Sequence, residues 1–433
     1  MPGLTKAQLA APAKRSQEAQ ALVRFAEATH PRGAEAARDP RWRAMAAEFV
    51  VDADGTNYAS FVVSAYRLLS WFGDGHTTVW ASALDQGPFG LELPIGAAPF
   101  HDGFYVAQAE AHHRDLLGSR ITTVGSAEIG EVIRRFAAIW PADNKAWVHH
   151  DIDLLLANPG ILHGLGVVSG ADTSPIRLAL VTPDGQQTER DIQPHSPMKS
   201  ARSSVHRTRS DREKWAVEAG TGNYVRRLPA NNALYVSLDD LGVKVPTFVA
   251  YLRNVFAAMA EPRWDRLILD LRRNSGGNNF LGEPLRKQLG RSRFNRPGGL
   301  YVLIGPTTFS AAQNLVNRLE RETYAIFAGE PTGGSPRHFG DSKRFESGAG
   351  GLPAAVSTLP WFDSYPQDKR NWVMPDILIP RTFADWSSGR DPVLDAALAH
   401  RTSAQPDELS EDRVFYFDRA SQKASWEPFW MKG

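Results

Sequence analysis

From residue 233 the chain repeats one pattern, a short and continuously apolar run followed by an amphipathic stretch. ALYVSL, LILDL (267–271), LYVLIG (300–305) and YAIFAG (324–329) are the apolar runs. After Pro246, the residues Phe248, Val249, Leu252, Val255, Phe256 and Met259 fall on one helical face, and a further helix is expected from about Ala311 to Arg321. A strand apolar on both sides must be covered on both sides, and strands that alternate with helices pair in parallel. The pattern predicts an α/β domain over residues 229–402, a parallel or mixed sheet with covering helices.

The rest of the chain has a different texture. At 433 residues, two or three packed units are expected. Residues 1–80 read as a helical region ending in YASFVVSAYRLLSWF, which Gly73-Asp74-Gly75 breaks, so that His76 sits on a helix-to-strand turn. Residues 85–196 read as a small β-rich domain with one or two helices, and the Pro-Asp-Gly of IRLALVTPDGQQTERDI signals a hairpin. The polar, basic stretch 197–228 reads as a linker or flap, and 403–433 as a C-terminal extension without an assignable role.

Composition narrows the chemistry. With 49 basic and 48 acidic side chains the net charge is +1, which gives no reason to expect nucleic acid or an anionic membrane as partner. No apolar run is long enough to span a membrane, and the first residues lack the apolar core of a signal peptide. There is no cysteine, so a nucleophile must be an oxygen or a nitrogen. The pairs His112-His113 and His149-His150 lack metal-ligand spacing, and neither a metal nor a cofactor is expected.

Ligands of an open α/β sheet collect at the carboxyl ends of its strands. Three unusual segments lie there: RRNSGGNN after LILDL, Ser310 after LYVLIG, and GEPTGGSPRHFGD after YAIFAG. Serine at a helix start is an ordinary cap. It is equally a nucleophile in waiting, because the amide of Ala311 would face the oxyanion formed when Ser310 attacks a carbonyl, with Gly276 or Gly277 as second donor. Such a serine needs a base. His76, on its rigid Gly-Asp-Gly turn, is better placed than most of the 12 histidines.

These segments resemble a known family. LILDLRRNSGG is similar to the Asp-Leu-Arg-x-Asn-x-Gly-Gly stretch of the S41 serine peptidases, and TTFSAAQ resembles their nucleophile segment. GDGHT, GEPTGG and VMPDILIP resemble blocks of the tricorn-core and retinoid-binding-repeat branch, and the resemblance runs from about 58 to 400. It implies a crotonase-like (ClpP-type) catalytic domain with Ser310 as nucleophile. The processing branch uses a Ser-Lys dyad, but Ser335 stands where that lysine belongs and Lys343 lies eight residues beyond it. The tricorn-like branch uses Ser and His, and His76 matches its histidine. A carboxylate orienting the imidazole is sought among Asp368, Glu330 and Asp74; Asp368 is preferred because it precedes the Pro-Asp block where that branch carries its acid. Asp270 and Arg272 read as an ion pair beneath the glycine loop.

In outline, DLLGSRITTVGSAEIGEVIRRF resembles the strand, turn and helix of a PDZ-like module. The expected activity is hydrolysis of a peptide amide through an acyl-enzyme. The alternatives are a small-molecule amidase or esterase, with WFDSYPQDKRNW as substrate wall, and a non-catalytic apolar-ligand or peptide-binding protein, whose cavity the 12 tryptophans and 21 phenylalanines would line. Family members are commonly exported and several form oligomers; the sequence itself decides neither.

Overall fold

The computed structural model describes residues 14–197, 203–204, 210–345, 351–402 and 425–432. Helices α1 (Arg15–Thr29), α2 (Pro40–Asp52) and α3 (Tyr58–Leu69) open the chain. Each of the last two starts at a side-chain cap: Asp39 accepts from the amides of Arg41 and Trp42, and Asn57 accepts from that of Ser60. After one 3-10 turn the run ends at Gly73, whose φ of 59° lies in the left-handed region. The segment Asp74-Gly75-His76 follows.

The middle region contains β1 (Ile95–Phe100), β2 (Gly103–Ala109), β3 (Arg120–Val124), α4 (Ile129–Ile139), α5 (Lys145–Asp151), β4 (Ile176–Val181) and β5 (Gln187–Ile192). The strands form an antiparallel sheet in the order β1-β2-β3-β4-β5. The turn at Pro183-Asp184-Gly185 joins β4 to β5. Helical content exceeds the one or two helices expected, because Leu154–Ala157 and Pro159–Gly164 are also helical. Such short runs carry too few turns to show a period, and burial of Leu155, Leu156, Ile161 and Leu162 fixes them instead. The N-terminal helices and this region share one core, in which Leu22, Phe61 and Leu69 join Ile95, Phe136 and Ile192.

The expected linker is largely ordered structure. Ser203–Ser204 pairs with β2, α6 spans Asp211–Ala219 and β6 spans Tyr224–Leu228; residues 198–202 and 205–209 lie outside the described residues. A capping box of Ser210 and Glu213 starts α6, and Arg212 is buried against Asp270. The basic side chains that made this stretch look solvated therefore include one that anchors it.

The α/β domain is built on β7 (Ala233–Ser237), β8 (Arg266–Asp270), β9 (Leu300–Ile304), β10 (Ile326–Gly329) and β11 (Ile377–Leu378). With β6 they form a six-stranded sheet, order β11-β10-β9-β8-β7-β6, parallel throughout except for the β6/β7 pair. Every residue of β7, β8 and β9 is buried, as continuous apolar runs require. Alternate residues serve opposite layers. Leu234, Leu267, Leu269 and Val302 meet α7 (Val245–Ala260), α8 (Asn279–Arg291) and α9 (Ala311–Glu322). Tyr235, Ile268 and Tyr301 meet α11 (Pro392–Ala399), which follows the short α10 (Phe383–Ser388).

Of the C-terminal extension, 403–424 and 433 lie outside the described residues. Residues 425–432 dock through two buried tryptophans, with Trp426 Nε1 donating to Glu330 at 3.0 Å and Trp430 Nε1 to His149 at 3.1 Å. Among the described residues no helix is long and apolar enough to cross a membrane.

Candidate active site

Ser310 stands where β9 gives way to α9, and it does not cap the helix: its side chain makes no capping hydrogen bond. Its backbone sits at φ 53°, ψ −125°, a conformation that costs a non-glycine residue about 1–3 kcal/mol and persists only when its surroundings impose it. Those surroundings are explicit. Thr308 Oγ1 donates to Leu271 O at 3.0 Å, the Gly305 amide donates to Thr308 Oγ1 at 3.1 Å, and the Phe309 amide donates to Asn274 O at 3.2 Å. The hydroxyl freed from capping points elsewhere. His76 Nε2 lies 2.9 Å from Ser310 Oγ, across 234 positions of sequence.

His76 is held from several directions. Its amide donates to Asp74 Oδ1 at 2.9 Å, its carbonyl accepts from Ser342 Oγ at 2.8 Å, and its ring stacks on Phe309 with centroids 4.5 Å apart. The His338 ring lies nearly parallel to it, with centroids 5.8 Å apart. Gly75, between Asp74 and His76, donates to Asp143 Oδ1 at 2.9 Å, and a side chain at Gly75 would run into Phe309 at 2.9 Å.

The carboxylate nearest the imidazole is Asp74, fully buried, with Oδ1 3.6 Å from His76 Nδ1. That is longer than a hydrogen bond, and catalytic contacts of this kind often tighten only when substrate is bound. Asp74 Oδ2 accepts from Thr77 Oγ1 at 2.6 Å and lies 3.4 Å from His30 Nε2. Because His30 Nδ1 accepts the Arg32 amide at 2.9 Å, the ring proton of His30 is on the nitrogen that faces Asp74.

Electrostatics follow from this burial. Burial alone would raise the Asp74 carboxyl, but its close approach to the His30 and His76 rings and the His76 charge outweigh it and hold the group well below the usual carboxylate range. For His76, burial works to lower the value, and Asp74, Asp143 and Asp341 together raise it above that of an ordinary imidazole. Asp143 is pushed up to about 7, by burial first and by the neighbouring Asp74 charge second. Burial, with the His76 charge, pushes His338 down to about 4.

Asp368, the acid preferred from sequence, is not brought to the imidazole. Its carboxylate accepts from Ser364 and from the backbone and guanidinium of Arg370, which also bonds Glu320 on α9. The arginine two residues on captures it. Glu330 is also elsewhere: it is buried, accepts from Trp426, and lines a separate cavity. Asp74 was weighed in the sequence but not preferred. Asp143, His30 and His338 were missed, because buried polar groups carry no periodic signal.

Two of the three expected oxyanion donors are available. Among the described residues the amides of Ala311 and Gly277 donate to no acceptor. The Gly276 amide is taken, donating to Asn274 Oδ1 at 2.8 Å, so Gly276 is corrected from donor to spacer. Its φ is 111°, and a Cβ there would lie 2.5 Å from that of Ser310, so only glycine allows the approach. Ligand atoms of Asp74, His76 and Asp143 lie within 4.8 Å of one another, a spacing that could suit a metal ion. The carboxylate oxygens are already engaged by Thr77, the amides of Gly75, His76 and Ser335, and the site is read as an orienting cluster. The expected pair of Asp270 and Arg272 is present, at 2.7 Å, and Arg272 also binds Asp391.

No protein-family model matches the chain. Over 189 residues it is 26% identical to the putative tricorn protease homolog 2 of Streptomyces coelicolor, a match covering 40% of this chain and 16% of that protein. Two solved structures share its fold. A mutant of CPAF superposes with a TM-score of 0.60 at 12% identity, covering 90% of this chain and 99% of that one. Mature CPAF gives 0.56 at 11% identity, covering 95% and 98%. The likeness to the two solved structures shows a shared fold, and the chain spans only 16% of the length of the curated relative it matches.

Proposed function

We propose that this chain is a serine hydrolase that cleaves peptide amide bonds through an acyl-enzyme on Ser310. The observation that carries the reading is the 2.9 Å contact between Ser310 Oγ and His76 Nε2 at the mouth of α9. As Oγ forms its bond to the scissile carbonyl carbon, His76 Nε2 takes the hydroxyl proton and the carbonyl π electrons move onto oxygen. The amides of Ala311 and Gly277 receive that oxyanion, and Asp74 orients the imidazole and stabilises its protonated form. Collapse breaks the C–N bond, and the leaving amine takes the proton from His76. Water then repeats the sequence against the acyl-enzyme and restores the serine. On this reading the α/β domain is crotonase-like and the β-rich region is PDZ-like, and the family resemblance favours an exported enzyme.

A fluorophosphonate probe should label the protein, and Ser310→Ala should abolish labelling. His76→Ala should slow labelling by about 10³-fold or more. Unchanged labelling in either variant would remove that residue from the mechanism.

A second reading, an amidase or esterase for small molecules, is favoured by Trp361. A side chain at Gly340 would meet Trp361 at 3.1 Å and His76 Nε2 at 3.9 Å, so an aromatic wall stands close to the reacting atoms. Profiling turnover of a peptide library beside aryl esters separates the two.

A further inference from the structure

Asp143 and Asn144 sit just before α5, within the β-rich region, and their side chains reach two other parts of the chain. Asp143 Oδ1 accepts from the amide of Gly75, the residue before His76, and Oδ2 accepts from the amide of Ser335 at 3.0 Å. One carboxylate thus holds both the histidine turn and the glycine-rich loop that follows β10. Hydrogen bonds from backbone amides to an ionised oxygen are among the stronger ones, and each oxygen here takes one segment.

Asn144 divides its side chain in the same way. Its Oδ1 accepts from the amides of Ala146 and Trp147 and so caps α5, while Nδ2 donates to Thr332 O at 3.1 Å and to Asn371 O at 2.7 Å. The loop it grips bears in turn on the nucleophile segment. The Gly334 amide donates to Thr308 O at 3.0 Å, and a Cβ at Gly333 would strike Pro306 O.

The first turn of α5 adds a third link. Trp147 stacks on Phe309 with centroids 3.9 Å apart, and Phe309 stacks on His76 at 4.5 Å. Cβ atoms at Gly75 and Gly333 would lie 3.2 Å and 2.8 Å from the Trp147 ring. The indole therefore fills the space between the histidine turn and the glycine loop, and glycine on both sides is what admits it. Among the described residues, none of Asp143, Asn144 and Trp147 makes a hydrogen bond to Ser310 Oγ or to the His76 ring.

We infer that Asp143, Asn144 and Trp147 are positioning residues, which set the separation of Ser310 and His76 by clamping the histidine turn, the glycine loop and the nucleophile segment to the start of α5. The inference rests on the catalytic reading above, since it concerns the same pair. It gives the β-rich region a share in building the active site.

Fluorophosphonate labelling separates position from folding, because it yields both a rate constant and a final count of labelled sites. Asp143→Asn offers one acceptor where two amides donate. Asn144→Ser keeps a capping oxygen, leaves every charge in place and loses both donations to the loop and to Asn371. The assay is run at pH 8, where the Asp143 carboxyl, pushed up to about 7 by burial, is ionised in the wild type. Asp143→Asn should lower the rate constant by about 10²-fold and Asn144→Ser by about tenfold, each with one site per chain still labelled. A merely structural role predicts fewer labelled sites reacting at the wild-type rate. A rate constant within about twofold of the wild type in either variant overturns the inference, and if Asp143→Asn does not fold, Asn144→Ser decides alone.

Hydrogen exchange in the Ser310→Ala protein tests the clamp without any chemistry. Adding Asp143→Asn should speed exchange of the Gly75 or the Ser335 amide by about tenfold or more, and unchanged exchange at both overturns the clamp. If the wild type is never labelled, the proposed function fails, while the exchange rates still decide whether Asp143 holds the two segments together.

Discussion

The two sides of the Ser310–His76 contact are built in different ways. On the nucleophile side, Ser310, Ala311, Gly276 and Gly277 come from one α/β sheet, and strained backbone fixed by short-range bonds places them. On the base side, His76, Asp74, His30 and Asp143 come from separate segments of the N-terminal half, and buried polar contacts place them. Backbone geometry tolerates few residue types, whereas a buried polar cluster can be assembled in many ways. The nucleophile side should therefore fail abruptly under substitution, and the base side should fail by degrees.

The sharpest test sets Asp74 against Asp368. Asp74→Asn should lower kcat/KM by about 10³-fold, because the imidazole loses both its orienting group and its counter-charge. Asp368→Asn should leave kcat within a few-fold and lower stability by about 1–3 kcal/mol in denaturant unfolding, through the weakened Arg370 contacts. The reverse pattern would move the acid back to Asp368.

Gly276→Ala addresses the other side. The added methyl must displace Ser310, and a shift of that size should cost about 10²-fold in labelling rate. A smaller loss would show that the glycine loop yields more readily than its contacts imply.

A third comparison separates shape from hydrogen bonding at His30, which packs against Phe72 and Phe339. His30→Phe fills the space without donating to Asp74, and His30→Gln retains a donor. The first should reduce kcat by about tenfold and the second by less. Equal losses would make His30 a packing residue.

The smallest effect concerns pH. His76 must be neutral to act as base, so its raised value places the acid limb of kcat/KM above that of an unperturbed histidine, and Asp74→Asn should move the limb down. Asp143, raised in the folded protein, contributes stability that is fully present below its unfolded value and is lost as pH rises through about 7. Melting temperature should fall across that window, and Asp143→Asn should flatten the fall.

The same contrast explains what the sequence disclosed. Strands β7 to β10 are buried on both faces, so their apolar runs marked them, and the serine at the end of such a run was visible as an anomaly. His76 was visible because two glycines frame its turn. Asp368 misled because its place before the Pro-Asp block says nothing of Arg370, two residues on, which binds its carboxylate. Residues 210–228 misled because a buried Arg212 looks like any surface arginine until Asp270 is seen beside it. Asp143 gave no signal, since its significance lies in two amides, Gly75 and Ser335, that are 68 and 192 positions away.

One feature limits how this chain could be shortened if the proposed function holds. The contact of Ser310 with His76 crosses into the helical half, so under the proposed mechanism the α/β sheet alone would keep its attacking oxygen and lose the group that accepts the hydrogen. A minimal catalytic fragment cut at the start of that sheet would be a scaffold without turnover. Restoring activity would take the missing half supplied in trans, as a second chain able to dock its turn against the serine.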